Sequence, residues 1–240
     1  MPIIETKNLK KVYSEGDTKT FALQNTSFSV EDGEFVAVMG PSGSGKSTLL
    51  HILGFLDEQT SGKYLFEGKS FSDHSEEEIA HIRNAEMGFI FQSFNLLPRI
   101  NVLENTKLPL IYSNVPESKW DNMAREAIES VGLTHRIDHE PSQLSGGEKQ
   151  RAAIARALIN KPKIIFADEP TGNLDSKSGK MIMEIIEKLN EDEGHTIILI
   201  THETYTAEHA QRIIRLHDGE IISDKKVRHR HSARKEEFKK

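Results

Sequence analysis

Cysteine is absent from the 240 residues, which removes disulfides, thiolate metal sites and cysteine nucleophiles and agrees with a reducing compartment. Long apolar runs are missing too. No stretch approaches the roughly 20 residues that span a bilayer, and the opening MPIIETKNLKKVY lacks the apolar core of a signal peptide. A cytoplasmic chain is therefore expected. The body also lacks a net positive charge. Lys225 to Lys240 holds eight Lys or Arg against Glu236 and Glu237, a local +6, so with a net charge of −6 the other residues sum to −12. An acidic body argues against broad nucleic-acid binding. The basic end, 224–240, reads as a solvated, disordered tail, with anionic lipid or an acidic partner as its alternative use. His229 and His231 within it lack the companions that would complete a metal set. The length leaves room for one large α/β domain or two small ones.

What the chain does have is GPSGSGKST at Gly40–Thr48, placed between the apolar run Phe35 to Met39 and a helix-like stretch from Lys46. Glycines at 40, 43 and 45 permit turns closed to residues with a Cβ, so successive N–H groups can converge on an anion. Nucleoside triphosphate is the expected ligand. Gly40, Ser42, Gly43, Ser44, Gly45 and Thr48 would contribute to the cradle, Lys46 would reach the β and γ phosphates, and the Ser47 hydroxyl would ligate Mg²⁺.

Around this loop the pattern alternates between strand and helix. Ile3 to Tyr13 and Phe21 to Val30 read as early strands, Ser75-x-x-Glu78 as a capping box opening a helix to about Ala85, and Met87 to Phe91 as a buried strand. Trp120, Met123, Ala124, Ala127, Ile128 and Val131 recur at helical spacing before Gly132 and form a core stripe. Lys163 to Ala167 and Thr196 to Ile200, separated by a helical Ser176 to Leu189, have the spacing of a parallel βαβ unit. Arg212 to Leu216 and Glu220 to Ile222 flank an Asp218-Gly219 turn and read as a closing hairpin.

Two further motifs bear on chemistry. The run Ile164 to Ala167 leads directly into Asp168 and Glu169, which puts two carboxylates at the C-terminal end of a buried strand, where open α/β sheets bind ligands. One can hold Mg²⁺ while the other polarises a water for attack on the γ phosphate. Leu144-Ser-Gly-Gly-Glu148 opens the helical run KQRAAIARAL and makes a second helix N-terminus able to bind an anion. A second copy could present it to the other face of the nucleotide.

With these motifs in this order, the chain resembles the ATP-binding-cassette (ABC) transporter ATPases over roughly Ile3 to Ser223. The resemblance implies an α/β P-loop NTPase fold over residues 1–223, with a RecA-like core, an antiparallel β region and an α-helical subdomain at about 93–160. It also implies roles. Gly40–Thr48 would be the Walker A loop, Ile164 to Asp168 the Walker B strand, Glu169 the catalytic base, and Leu144 to Glu148 the signature, with Ser145, Gly146 and Gly147 facing phosphate. Gln92 would touch Mg²⁺ or the attacking water, giving a metal set of Ser47, Gln92 and Asp168. His202 would be the switch histidine, Asn173-Leu174-Asp175 the D-loop, and Tyr13 the aromatic that stacks on adenine. Glu148 departs from the commoner family glutamine and is expected to accept hydrogen bonds from ribose hydroxyls.

QSFNLLPRINVLEN and DEPTGNLDS are similar to the macrolide-exporter and lipoprotein-release branch. The implied working form is a dimer of two copies that closes on ATP and Mg²⁺ and reopens on hydrolysis, held at the inner face of the cell membrane by a permease. Phe94 to Ile100, an apolar run just beyond Gln92, is expected to help receive that permease. A soluble cassette acting on ribosomes or nucleic acid is the alternative, and the single cassette without a heptad insertion speaks against it.

Overall fold

In the computed structural model, which describes residues 2–16 and 18–235, two 14-residue strands open the chain, β1 (Pro2–Glu15) and β2 (Thr18–Glu31). Buried and exposed residues alternate along the second half of β2, as in a strand with one dry face. After β3 (Phe35–Met39) and α1 (Lys46–Leu53), β4 (Ser61–Phe66) returns to pair with β1, and the short β5 (Lys69–Ser70) completes an antiparallel sheet in the order β2-β1-β4-β5. The expected Ser75 capping box opens α2 (Glu76–Glu86), with Glu78 N–H donating to Ser75 Oγ and Ser75 N–H to Glu78 Oε2.

The helical region follows β6 (Met87–Phe91). It comprises α3 (Val102–Lys107), α4 (Trp120–Ser130) and α5 (Gly146–Leu158), joined by 3₁₀ turns. The stripe read from the sequence lies on α4: Ala124, Ile128 and Val131 are buried, and Trp120, Met123 and Ala127 pack against the same core. Gly132 ends the helix with φ +67°, a left-handed conformation that glycine adopts without a Cβ penalty.

β7 (Ile164–Asp168), α6 (Ser176–Glu191), β8 (Thr196–Thr201), α7 (Thr204–Ala207), β9 (Arg212–His217) and β10 (Glu220–Lys226) complete the chain. The larger sheet has the order β10-β9-β3-β8-β7-β6, parallel except for the β9–β10 hairpin. Every residue of β3 and β8 is buried, because both faces of this sheet are covered. Side chains alternate between two cores. Phe35, Ala37, Ile165, Ala167, Ile197 and Leu199 face the helical side, whereas Val36, Val38, Ile164, Phe166, Ile198 and Ile200 face α1 and the antiparallel sheet.

The C-terminal segment differs from the solvated tail expected of it. β10 continues to Lys226, and the chain then runs back along the body. Val227 N–H donates to Gln211 O, His231 N–H to Glu208 O, and Ala233 N–H to the buried Glu187 carboxylate. Arg230 pairs with Glu191 at 2.8 Å and Arg234 with Asp192 at 2.9 Å. The acidic body holds its own basic end by charge and main-chain bonds, which carry no hydrophobic periodicity. His229 is exposed as expected, but His231 is half-buried against the Tyr205 ring, 4.6 Å between centroids. Residues 236–240 lie outside the described residues.

Candidate functional site

Strands β6, β7, β8 and β3 are consecutive in the sheet and finish level: Phe91 pairs with Asp168, Asp168 with Ile200, and Thr201 with Met39. The residues that follow, Gln92, Glu169, His202 and Gly40, therefore stand in a row along the C-terminal edge. This is the position at which parallel α/β sheets bind ligands. A cleft of about 760 Å³ opens there, within the range of small-molecule sites. Its floor is Ser42, Gly43, Gly45, Lys46, Ser47 and Thr48, its far wall Gln92, Asp168, Glu169 and His202, and its outer rim Tyr13 and Phe21.

The loop is shaped by two glycines. A Cβ on Gly40 would lie 2.1 Å from Leu216 O, and one on Gly45, whose φ is +99°, would lie 2.3 Å from Ala22 O. No side chain caps the N-terminus of α1, so its first N–H groups are left for whatever the loop binds. Lys46 is 8% exposed and donates to Gly40 O at 2.9 Å and Pro41 O at 2.8 Å. Burial lowers its pKa, against the raising effect of Glu169 and Asp168. Ser44 Oγ is buried without a hydrogen-bond partner among the described residues. A Cβ-excluding cradle, an uncapped helix end and a buried ammonium fit a polyphosphate.

At the opposite wall, burial first and the charge of Glu169 second raise the pKa of Asp168. Glu169 has φ +45°, a left-handed conformation that costs a residue with a Cβ about 1 kcal/mol. It is held by Glu169 N–H donating to Ile200 O at 2.9 Å and Gly172 N–H donating to Glu169 O at 3.0 Å. Its Oε1 lies 2.7 Å from Nδ1 of His202, so an ionised carboxylate here accepts from the imidazole. Gln92 and Asn173 exchange two bonds: Gln92 Nε2 donates to Asn173 Oδ1 at 3.3 Å, and Asn173 Nδ2 donates to Gln92 O at 3.1 Å. Among the described residues no group of three His, Cys, Asp or Glu is placed to hold a metal ion. A cation here would rely on Ser47, Gln92, Asp168 and phosphate oxygens, the sparse protein ligation usual for Mg²⁺.

Tyr13 is 43% exposed at the rim. Its hydroxyl donates to Asp57 Oδ2 at 2.8 Å, and burial followed by this bond raises the phenol pKa.

The remaining sequence-selected residues form a separate group outside this cleft. Ser145 caps α5, and Glu148 completes a capping box: Glu148 N–H donates to Ser145 Oγ at 3.3 Å and Ser145 N–H to Glu148 Oε2 at 2.8 Å. Glu148 Oε1 accepts from Arg136 Nε at 2.8 Å. Both oxygens are thus engaged within the chain, each by one bond, which leaves acceptor positions over. The cap bond from Ser145 and the Arg136 guanidinium, opposed by burial, hold Glu148 down to a pKa of about 2. The pattern S-x-x-E was visible in the sequence. Gly146 and Gly147 permit close packing, since a Cβ on Gly147 would lie 2.9 Å from Ser178 Oγ and one on Gly146 3.1 Å from Leu174 Cδ2. Asp175 caps α6, accepting from Ser178 N–H at 3.0 Å and Ser178 Oγ at 2.7 Å. Sequence reasoning also missed Gln150, fully buried, whose Nε2 donates to Pro170 O at 2.9 Å and ties α5 to the Glu169 turn.

Comparison with known proteins agrees with this geometry. The family model described as ABC transporter matches residues 23–172. The chain is 54% identical over 225 residues to a macrolide export ATP-binding/permease protein of Bdellovibrio bacteriovorus, covering 94% of this chain and 34% of that protein. The chain thus spans about a third of the length of that relative. It is 52% identical over 220 residues to an uncharacterized ABC transporter ATP-binding protein of Methanocaldococcus jannaschii, covering 92% of this chain and 98% of the relative. Among solved structures, the ATP-binding cassette MJ0796, in a dimeric post-hydrolysis state bound to ADP and Pi, superposes with a TM-score of 0.86 at 43% identity, covering 94% of this chain and 99% of that one.

Proposed function

The chain belongs to the ABC transporter family, and from that premise we propose that it is an ATP-binding and ATP-hydrolysing subunit that works as a dimer and drives a separate membrane permease of the macrolide-exporter or lipoprotein-release type. The observation that carries this is the row of Gln92, Glu169, His202 and the phosphate loop along one sheet edge. The transporter identity of the relatives sets aside the alternative of a cassette acting on ribosomes or nucleic acid. Among the described residues no helix is long and apolar enough to cross a membrane; in this reading the permease holds the chain at the inner face.

In this reading the loop N–H groups and Lys46 bind the triphosphate of ATP, and Ser47, Asp168 and Gln92 hold Mg²⁺. When bound, Mg²⁺ neutralises charge on the phosphoryl oxygens. Glu169 takes the proton of the attacking water, with His202 holding the carboxylate at the sheet edge, and Tyr13 stacks on the base. Gly40, Ser44 and Thr48 support the loop. Ser145, Gly146 and Gly147 face the nucleotide of a second copy, with Glu148 and Asp175 shaping the helix ends beside it. Residues 1–223 constitute the nucleotide-binding domain, and about 93–160 its helical subdomain.

Glu169→Gln tests the assignment: the amide keeps the shape and loses the base, so ATP binding should persist while hydrolysis falls by about a hundredfold or more. Phosphate release near the wild-type rate would remove Glu169 from the role.

The permease site is proposed at a second cleft of about 910 Å³ between α2, β6 and α5, where Leu56, His81, Asn95, Tyr112 and Arg156 meet. Arg156 donates to the backbone oxygen of Phe94 at 3.0 Å. This bond holds the start of the Phe94 to Ile100 segment at the cleft, where Asn95 lines it, and Leu97 further along is 49% exposed. Replacing Leu97 with Ala and Arg99 with Glu should leave the ATPase rate of the isolated chain intact and abolish its stimulation by a reconstituted permease. Equal losses in both assays would mean that the segment only supports the fold.

A further inference from the structure

Tyr13 is held on more than its hydroxyl. Lys11 and Tyr13 are two residues apart on β1 and share a face of the strand. The Lys11 ammonium sits 4.9 Å from the Tyr13 ring centroid. The same ammonium donates to Asp57 Oδ1 at 2.6 Å and to Glu58 O at 2.7 Å, while Asp57 Oδ2 accepts from the Tyr13 hydroxyl at 2.8 Å. Asp57 is fixed in turn. Leu56 N–H and Asp57 N–H both donate to His51 O, at 2.8 and 3.2 Å, and Glu58 N–H donates to Asp57 Oδ1 at 2.7 Å. His51 lies on α1, the helix that begins at the phosphate loop. The chain therefore ties the tyrosine at the rim to the helix beneath the phosphates through one carboxylate and one ammonium.

We propose that Lys11 and Asp57 are positioning residues for the purine of the nucleotide: Asp57 fixes the edge of the Tyr13 ring, and Lys11 occupies one face, so that the base stacks on the other. This rests on the proposed reading of Tyr13 as the base-stacking residue. A cation on one face draws ring electrons toward itself and lowers the density on the opposite face, which weakens repulsion against the π cloud of a purine. The ring is also pre-oriented, so less rotational freedom is lost when the base arrives. Phe21, 56% exposed and paired with Val12 across the β1–β2 hairpin, lines the same rim.

The test separates base from phosphate binding. Binding of ATP and of inorganic tripolyphosphate is measured by competition against a fluorescent ATP analogue, on the full chain with Lys11→Met, Lys11→Arg, Asp57→Asn or Tyr13→Ala. Lys11→Met and Asp57→Asn should each weaken ATP about threefold to tenfold, in line with the strength of one partly exposed cation–π contact. Tripolyphosphate affinity should be unchanged, and Lys11→Arg, which keeps a cation, should recover most of the loss. Wild-type ATP affinity in Lys11→Met and Asp57→Asn, alongside weakened binding in Tyr13→Ala, would overturn the positioning role while leaving Tyr13 as the base site. Wild-type affinity in Tyr13→Ala would overturn the base site itself. Equal losses for ATP and tripolyphosphate would place the effect at the phosphate loop and also overturn the proposal.

Discussion

Glu148 shows how a single side chain can satisfy two readings of one pattern. The turn Leu144 to Glu148 was legible as an anion-binding helix start, and the start does fall at Ser145. Ser145 to Glu148 also spell a capping box, as Ser75 to Glu78 do, and Glu148 serves the cap and Arg136. Its depressed pKa sets a sign. The unfolded carboxyl takes a proton near the ordinary value of 4.5, whereas the folded one resists until about 2. Its stabilising contribution is therefore complete above the ordinary value and is lost as pH falls through that window. Glu148→Gln keeps the capping geometry but removes the charge paired with Arg136, and should cost about 1 kcal/mol at neutral pH. In urea denaturation that gap should narrow between pH 5 and pH 3, and a gap that widens toward acid would contradict the assignment. The left-handed turn at Glu169 and the burial of Gln150 were not legible, since each also depends on a partner distant in the chain, Ile200 for the first and Pro170 for the second.

At the scale of elements, periodicity carried the reading where a face is apolar. The α4 stripe, the buried strands ending at Phe91, Asp168 and Thr201, and the β9–β10 hairpin all follow from residue spacing. Strand order does not, because β3 is equally apolar toward β8 and β9 and only the three-dimensional path selects its neighbours. Nor does the docking of residues 227–235, which rests on the buried carboxylate of Glu187. That group accepts from His209 Nδ1 at 2.6 Å and Ala233 N–H at 2.9 Å. Burial raises its pKa, but these bonds outweigh burial and leave it lowered. Glu187→Gln should cost about 2 kcal/mol, as charged buried hydrogen bonds do. Deleting residues 227–240 removes some of the same contacts, so the double change should cost less than the sum of the two. Strict additivity in urea denaturation would show that the segment and Glu187 act independently.

For the whole molecule, the decisive geometry is what one copy does not bring together. Lys46, Asp168, Glu169 and His202 line one cleft, while Ser145, Gly146 and Gly147 lie outside it, at the junction of α5 and α6. The glycine-rich start of α5, capped within the chain by Ser145 and Glu148, serves no purpose in the first cleft. It becomes useful if a second copy turns its α5 toward the nucleotide, and the dimeric arrangement of the similar cassette MJ0796 is consistent with such pairing. Two equivalent sites then form in one symmetric dimer, each built from the Lys46 of one copy and the Ser145 of the other. Lys46→Ala and Ser145→Arg should each abolish ATP hydrolysis alone, the first by removing the phosphate ligand and the second by filling the facing surface. In a mixed dimer the two lesions fall on the same site, which leaves the other site intact. Random pairing at equal concentrations makes half of the dimers mixed, so about a quarter of all sites should be whole. Hydrolysis in the mixture should therefore rise to as much as about a quarter of the wild-type rate if the sites fire independently, and to less if both must close together. An absence of recovery at every mixing ratio, with mixed dimers confirmed by size and mass, would mean that each copy completes its own site.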